Sequence, residues 1–488
     1  MATHGNSGAP SRNLRESRHA TTASRYAAEG VVPLISSHQE YPMKSLVRCV
    51  LLAATGAVLG MATLAGFALV GFNTTMARDF AKVNAQHSVV GDSPARAPRP
   101  GRIQTAILLG RNGSVATDVM GPYSVFAGSP KFDVRTVSSA RSPVALSGGL
   151  TVMPEATYDD YQSGRLPLPD LVVVPAITEP AGSDEAELRA FIESVHAAGR
   201  MVMGVCAGAR VLVETGVLYG KKATSFWSDL DGMKATHPET IWVGGTRWVE
   251  DANVVTTAGV SSGIAASLHV VHKLAGPDEA IRIADTVRYP HWIPNGTMDI
   301  PIRTISLSDY PYVLGATIPW GQPRYGLGLT PGVDEIDIAA AAEVYGGVAF
   351  TAQVIPVAET DEIVTKHGMR LRATPIADAG RFDRLIIPGV TSSRLPDATH
   401  PTPVFLPAAA SPGNTSFDPI LADVARTDGR RVAETAAKYL EYPLPSLPDE
   451  SGYPVRVTTM AILVFLASAG MGVVPFLISR TRRGTSSS

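Results

Sequence analysis

Gly204-Val205-Cys206-Ala207-Gly208 joins an apolar run, Met201–Val205, to a stretch of helical pattern from about Ala207 to Thr215. A G-x-C-x-G text between a strand and a helix is the pattern of a nucleophile elbow, with sulfur in place of a serine oxygen. The turn is too tight for side chains on either flank, which accounts for the glycines. A helix start beside the sulfur offers partial positive charge, which predicts a lowered thiol pKa. It also offers the backbone N–H groups of Ala207 and Gly208 to a developing oxyanion. The competing reading is a buried structural cysteine. Position weighs against it: the other cysteine, Cys49, lies in an apolar segment, and Cys206 ends a strand where open α/β sheets bind ligands.

The elements around the elbow alternate. Gln104–Leu109, Phe132–Val137, Leu150–Met153, Leu171–Pro175 and Asn253–Thr257 read as strands, and Leu171–Pro175 is apolar throughout, as in a parallel sheet. Asp118–Phe126, Ser183–Ala198 and Ser262–Leu274 read as helices, with Ser183 as an N-cap and Gly199 as a stop. This order predicts a doubly wound, flavodoxin-like α/β domain with a parallel sheet.

Several motifs in this region resemble the ThiJ/PfpI group of class I glutamine amidotransferase-like folds. They are Thr117–Phe126, Leu171–Pro175, Met203–Ala209, Lys221–Trp227 and Thr256–Ile264, and the similarity spans roughly 103–292. The branch it most resembles includes isonitrile hydratases and the amidase-like N-terminal domains of AraC-type regulators. The resemblance implies that Cys206 is the nucleophile and that Asp118 faces it and shares a proton with it. A carboxyl beside a thiol in a dry cleft has a raised pKa and serves as an acid or base. Without the resemblance, Asp118 reads equally well as a helix N-cap. Three positions depart from the pattern. Phe226 stands where several members carry histidine. Pro175-Ala176-Ile177 replaces a P-G-G turn, which bears on the oxyanion amide expected at Ala176. Ala207 replaces the threonine that follows the cysteine in hydratases. His269 and His272 stand three apart on a helix, and solvated or capping roles fit them better than a metal pair. No metal site and no cofactor are implied.

Of the 488 residues only 18% are charged, against ~25% in an ordinary soluble domain, and mean hydropathy is +0.11. Two uncharged runs explain this. One extends from Cys49 to Ala77, the other from Val457 to Ser479, and each is long enough to span a bilayer. Gly56 and Gly60 form a G-x-x-x-G step suited to a helix partner. Arg12, Arg15, Arg18, Arg25, Lys44 and Arg48 precede the first run, and Arg480, Arg482 and Arg483 follow the second. Both termini therefore read as cytoplasmic and residues ~79–456 as extracytoplasmic. The text from Met43 to Arg48 resembles a signal n-region, and translation from Met1 or from Met43 is compatible with it. The apolar run is longer than the 7–15 residues of a secretory h-region, which favours an uncleaved anchor. The stretch between the basic ends carries a net charge of −8, which argues against nucleic acid as a partner. Two cysteines exclude a disulfide scaffold. No nucleotide loop, zinc cluster or DNA-binding helix-turn-helix is present.

A second, worn copy of the domain follows. Asp337 to Tyr345 repeats Asp118 to Phe126, with Val at offset seven and an aromatic at offset eight. Leu385–Gly389 repeats Leu171–Ala176, and Ala436–Pro443 echoes Ala284–Pro290. This copy has no cysteine, and Gly389 to Phe417 shows no strand–elbow–helix pattern. The expected layout is a disordered tail 1–45, a span 46–77, a linker 78–102, the ThiJ/PfpI-like domain 103–292, a connector 293–324, the degenerate copy 325–443, a linker 444–456, a span 457–479 and a tail 480–488. The two copies are expected to pack on each other.

Two functional classes follow. One is a cysteine-dependent hydrolase, hydratase or lyase acting on a small molecule. The other is a non-enzymatic ligand, redox or carbonyl sensor using the same cleft. A bilayer partner is common to both. A reporter active only in the cytoplasm, fused near Gly91, should be silent, and activity there would overturn the topology.

Overall fold

The elbow strand lies inside a seven-stranded sheet. Its order is Trp248–Asp251, Val254–Thr257, Met201–Gly204, Leu171–Val174, Ile103–Leu108, Phe132–Ser138, Ala156–Thr157. The computed structural model describes residues 43–80, 95–289, 292–294, 296, 298–395, 401–407, 415–443, 447 and 455–484. Residues 1–42 of the expected N-terminal tail, Gly91, Pro290, His291 and parts of both linkers lie outside these residues, and the last three residues of the tail begin the helix Met43–Asp79. The chain divides into units 1–53 and 54–488, and every contact described below lies within the second.

All strands of this sheet run parallel except the outermost, Trp248–Asp251. In chain order the five main strands take the arrangement 2-1-3-4-5, the flavodoxin-like order. Side chains alternate between two buried faces. Ile107, Val173 and Met203 pack with the core that includes Met120 and Ile264, from the helices Ala116–Ala127 and Val260–Ala275. Leu108, Val172 and Val202 pack with Leu188, Phe191 and Leu212, from Ala186–Ala197 and Ala209–Glu214. Burial on both faces is why these strands read as unbroken apolar runs.

Two local expectations change. Ser183 opens a short 3-10 turn, Ser183–Glu185, and caps nothing through its side chain. The antiparallel edge strand Trp248–Asp251 is half-exposed and carries two acids, so no apolar alternation marked it in the sequence.

A second sheet, parallel and five-stranded, runs Thr374–Pro375, Gln353–Ala358, Arg324–Gly328, Arg384–Pro388, Pro403–Leu406. The last strand lies within the interval Gly389 to Phe417, for which no strand–elbow–helix pattern is expected. It sits at the sheet edge and starts with proline, where a missing N–H costs nothing. Residues 408–414, where an elbow would follow, lie outside the described residues. Two helices complete this half, Asp418–Thr427 and Arg430–Tyr439, as Val260–Ala275 and Pro277–Thr286 complete the first.

A third sheet draws strands from both halves: Glu362–Val364, Arg370–Arg372, Thr151–Val152, Val144–Ala145. Leu371 pairs with Val152 and Arg372 with Thr151 in its antiparallel centre. Beside it the helix Ala116–Ala127 packs on the helix Glu335–Ala342, and Ser124 Oγ donates to Asp334 Oδ1 at 2.7 Å.

The two long apolar helices are Met43–Asp79 and Val455–Gly484, and length and composition suit both to crossing a membrane. A Cβ on Gly56 would strike the carbonyl of Gly472, and one on Gly60 would lie 3.3 Å from the carbonyl of Ser468. Small residues thus let the two backbones approach. At the base of the first helix, Arg78 donates to the Pro319 carbonyl at 3.0 Å, and Asp79 Oδ1 accepts from the Gly148 N–H at 2.5 Å.

Residues 103–292 produced alone would leave Thr151–Val152 without the strand Arg370–Arg372 on one edge and the helix Ala116–Ala127 without the cover of Glu335–Ala342. Such a fragment should be unstable or self-associating. Residues 103–443 should give a soluble monomer. Light scattering after size exclusion distinguishes the two, and a stable monomeric 103–292 would contradict the expectation.

Candidate active site

Cys206 adopts φ +55°, a left-handed conformation that costs a non-glycine residue roughly 1–3 kcal/mol. The sheet enforces it. Val205 donates to the Val174 carbonyl at 2.8 Å, and the Cys206 N–H donates to Thr257 Oγ1 at 3.0 Å. Thr256 Oγ1 accepts from the Thr224 N–H at 2.8 Å, fixing the neighbouring loop. Gly208 lies against the backbone of Val174, where a Cβ would strike the carbonyl. The thiol is buried, at 6% exposure.

Asp118 is wholly buried at the third position of the helix Ala116–Ala127. Val115 is the N-cap of this helix, so the capping reading of Asp118 falls away. Its Oδ2 accepts from the Ala176 N–H at 3.1 Å, whereas Oδ1 is buried with no hydrogen-bond partner. Burial pushes this carboxyl well above the usual range. The Ala176 N–H pulls it down in part, and the carboxylate of Glu343 pushes it further up.

The thiol behaves oppositely to the sequence expectation. Burial raises the Cys206 pKa well above the ordinary value, and Asp118 and Asp229 add to the rise. The Ala207 N–H opposes this, and Glu441 raises it again. The helix behind the sulfur supplies little, because Ala209–Glu214 is only six residues long. The oxyanion donors are also largely spent. The Gly208 N–H closes a turn onto the Val205 carbonyl at 2.7 Å, and the Ala176 N–H is held by Asp118. The Ala207 N–H is directed to the thiolate sulfur.

The remaining wall comes from chain segments after residue 300. Ser147 Oγ accepts from the Ala116 N–H at 2.8 Å and donates to Glu343 Oε2 at 2.6 Å. Tyr312 stacks on Tyr439 at 3.6 Å, and Tyr439 meets Trp227 at 5.1 Å. Phe226, at the position of the family histidine, packs beside Trp227 and Tyr439. Glu441 holds φ +51° and is buried. Its Oε2 accepts from the Gly259 N–H at 2.5 Å and from Ser262 Oγ at 3.2 Å, while Oε1 has no partner. Burial raises its pKa, against hydrogen bonds from Gly259 and Ser262 and the charges of Arg303 and Arg247. Sequence reasoning missed Glu441 and Glu343. The echo at Ala436–Pro443 was the available signal for Glu441, but an echo gives no direction for a side chain.

His269 pairs with Glu250 at 2.7 Å on the sheet edge and stacks on Trp248, so it serves packing. Among the described residues, Asp334, Glu335 and His367 bring potential metal-ligand atoms within 4.8 Å of one another. Those atoms are already engaged. Asp334 takes Lys366 at 2.8 Å as well as Ser124, and Glu335 takes His367 Nδ1 at 2.6 Å and the Thr365 hydroxyl.

Comparison with known proteins places this site in context. Residues 104–273 match the DJ-1/PfpI family. The chain is 35% identical over 165 residues to an isonitrile hydratase of Pseudomonas putida, covering 33% of this chain and 68% of that protein. It is 26% identical over 149 residues to the HTH-type transcriptional regulator CdhR of Pseudomonas aeruginosa, covering 30% of this chain and 43% of the regulator. A solved ThiJ/PfpI family protein from Pseudomonas syringae covers 43% of this chain and 85% of its own length, at 27% identity and a TM-score of 0.35.

Alkylation of Cys206 should be slow at pH 7 and accelerate only above the range of free cysteine, near 8.5. Asp118→Asn removes a negative charge that raises the thiol, so it should move the alkylation midpoint to lower pH. A midpoint at or below that of free cysteine, unmoved by Asp118→Asn, would show that the two groups do not interact.

Proposed function

The chain belongs to the DJ-1/PfpI family, and from that premise we propose that it is a membrane-anchored cysteine enzyme of the hydratase, hydrolase or lyase type acting on a small electrophilic molecule. The observation that carries this reading is the strained, buried Cys206 beside an Asp118 oxygen with no partner of its own. Cys206 attacks carbon and Asp118 moves the proton.

The electrostatics favour hydration within that class. Burial pushes both groups toward their protonated forms, and two of the three candidate oxyanion amides are committed elsewhere. Amide hydrolysis needs a thiolate and an oxyanion site. A substrate that takes a proton as it is attacked does not. An isonitrile, the substrate class in the name of the hydratase relative, fits this need. The S–H bond adds across the terminal carbon, giving a thioimidate in which that carbon bears both sulfur and hydrogen. Water then adds to the same carbon. The C–S bond breaks, the proton returns to sulfur, and an N-substituted formamide leaves. A redox-sensing role suits this cysteine poorly, because oxidants react with exposed thiolates.

The second half reads as a degenerate copy standing where a second subunit would pack. Its parallel sheet repeats the order 2-1-3-4, a helix pair follows, and Asp337, like Asp118, is the third residue of its helix. Two membrane spans with cytoplasmic ends would hold both halves outside the cytoplasm.

The test uses the full chain in detergent micelles with cyclohexyl isonitrile, following the formamide. Cys206→Ser should abolish turnover, and Asp118→Asn should reduce it by about 10²–10⁴-fold. Turnover that survives Cys206→Ser, or no turnover by a protein that binds the isonitrile, sinks the hydratase reading.

A further inference from the structure

Three consecutive residues at the carboxyl end of the strand Val254–Thr257 each hold a different group of the Cys206 cleft. Thr257 Oγ1 takes the Cys206 N–H at 3.0 Å. The Ala258 N–H donates to the Arg247 carbonyl at 2.8 Å, and the Gly259 N–H donates to Glu441 Oε2 at 2.5 Å. Consecutive Cα atoms lie about 3.8 Å apart, so Arg247 and Glu441 are anchored within two residues of the contact that fixes the cysteine.

The connector brings a second arginine to the same place. The Arg247 N–H donates to the Met298 carbonyl at 2.7 Å, and the Ile300 N–H donates to the Gly245 carbonyl at 3.0 Å. Thr246 and Asp299 form an antiparallel bridge between them, so residues 298–300 run beside 245–247. Arg303 follows three residues on. The next carbonyl, that of Thr304, accepts from Lys438, three residues before Glu441. The charges of both arginines act on Glu441. Burial pulls the Arg303 pKa below its ordinary value, Glu441 and Asp309 oppose the fall, and the charge of Arg247 adds to it.

Each of the three groups keeps an atom without a partner. Arg247 Nη1, Arg303 Nε and Glu441 Oε1 are buried and make no hydrogen bond, and among the described residues neither guanidinium forms an ion pair. Both arginines are half-buried, so their charges are not left to bulk water alone. Lys438 adds no free charge, because Asp309 balances it at 2.6 Å. Two positive charges therefore face one negative, an excess that suits a monoanion. A phosphate dianion would exceed it and would also meet the Glu441 carboxylate. A guanidinium presents N–H donors in a planar fork that matches a carboxylate.

We propose that Arg247 and Arg303 form an anion subsite at the edge of the Cys206 cleft, which takes the carboxylate of a small molecule whose other end lies over the sulfur. This names a substrate class for the site. It rests on reading the Cys206 cleft as a small-molecule site, and it does not need the isonitrile step.

The test uses the full chain in detergent micelles at pH 8, with two readouts: isothermal titration calorimetry, and the rate at which iodoacetamide alkylates Cys206. The probes are propanoate, butanoate and pentanoate, each against its own amide, with inorganic phosphate as the dianion. At least one carboxylate should bind one per chain, at least tenfold more tightly than its amide and than phosphate. At saturation it should slow the alkylation at least fivefold. Arg247→Gln and Arg303→Gln should each weaken binding at least tenfold while the melting transition persists. If either variant fails to fold, the comparisons on the unaltered chain decide. The proposal is overturned if no carboxylate binds, if an amide or phosphate matches it, or if the bound carboxylate leaves the alkylation rate unchanged. It is overturned equally if either folded Gln variant binds as tightly as the unaltered chain. Neither readout involves turnover, so a failed hydratase reading and a failed subsite are told apart.

Discussion

One serine hydroxyl joins the two halves at the point where chemistry is built. Ser147 Oγ accepts from the first N–H of the helix carrying Asp118 and donates to Glu343 across the interface. Both ends of that relay are buried, so an unmade bond there would leave a polar group unsatisfied at about 1–3 kcal/mol. The position of Asp118 therefore depends on the second half being in place. The shared ladder of Leu371 with Val152 and the Ser124–Asp334 bond hold the same interface from either side.

That covering has an electrostatic consequence. An exposed elbow at a helix start would give an ordinary low-pKa thiolate. Here the later half lays Tyr312, Tyr439, Glu343 and Glu441 around the cleft, which removes water and adds carboxylates. Both changes favour the protonated thiol and the protonated Asp118. The elbow geometry survives, but its surroundings disfavour a standing anion on sulfur. Phe226 in place of histidine agrees with this, because a neutral imidazole there would take the proton from sulfur and leave a thiolate–imidazolium pair.

The first half was largely legible because its signals are local. Buried parallel strands read as apolar runs, and Leu171–Val174 and Met201–Gly204 fall within the segments their patterns predict. The G-x-C-x-G text placed the strained cysteine because only a strand-to-helix turn needs small residues at both flanks. The direction of the thiol's shift was not legible. It depends first on burial, by aromatic side chains from three segments, then on Asp118 and Asp229, and only last on Glu441, more than 230 residues away in the chain. Periodicity carries no information on such contacts. The edge strands were missed for a related reason: Trp248–Asp251 and Pro403–Leu406 are held by one neighbour each and carry acids or proline instead of an apolar run.

The exchange of side chains between the halves sets a limit on how the two sites can diverge. Arg288 and Glu441 each follow the last helix of their own half, and each takes a left-handed backbone to turn across the interface. A substitution at either position acts on the cleft of the other half. The second half carries no cysteine, so its cleft has no need of a dry, acidic lining and tolerates a cation in trans. A cation in trans at the place of Glu441 in the first half would put a guanidinium beside Cys206, lower the thiol pKa and undo the proton-holding pair. The asymmetry of charge, acid toward the cysteine and base away from it, thus distinguishes the two clefts of a body built from two interlocked sheets.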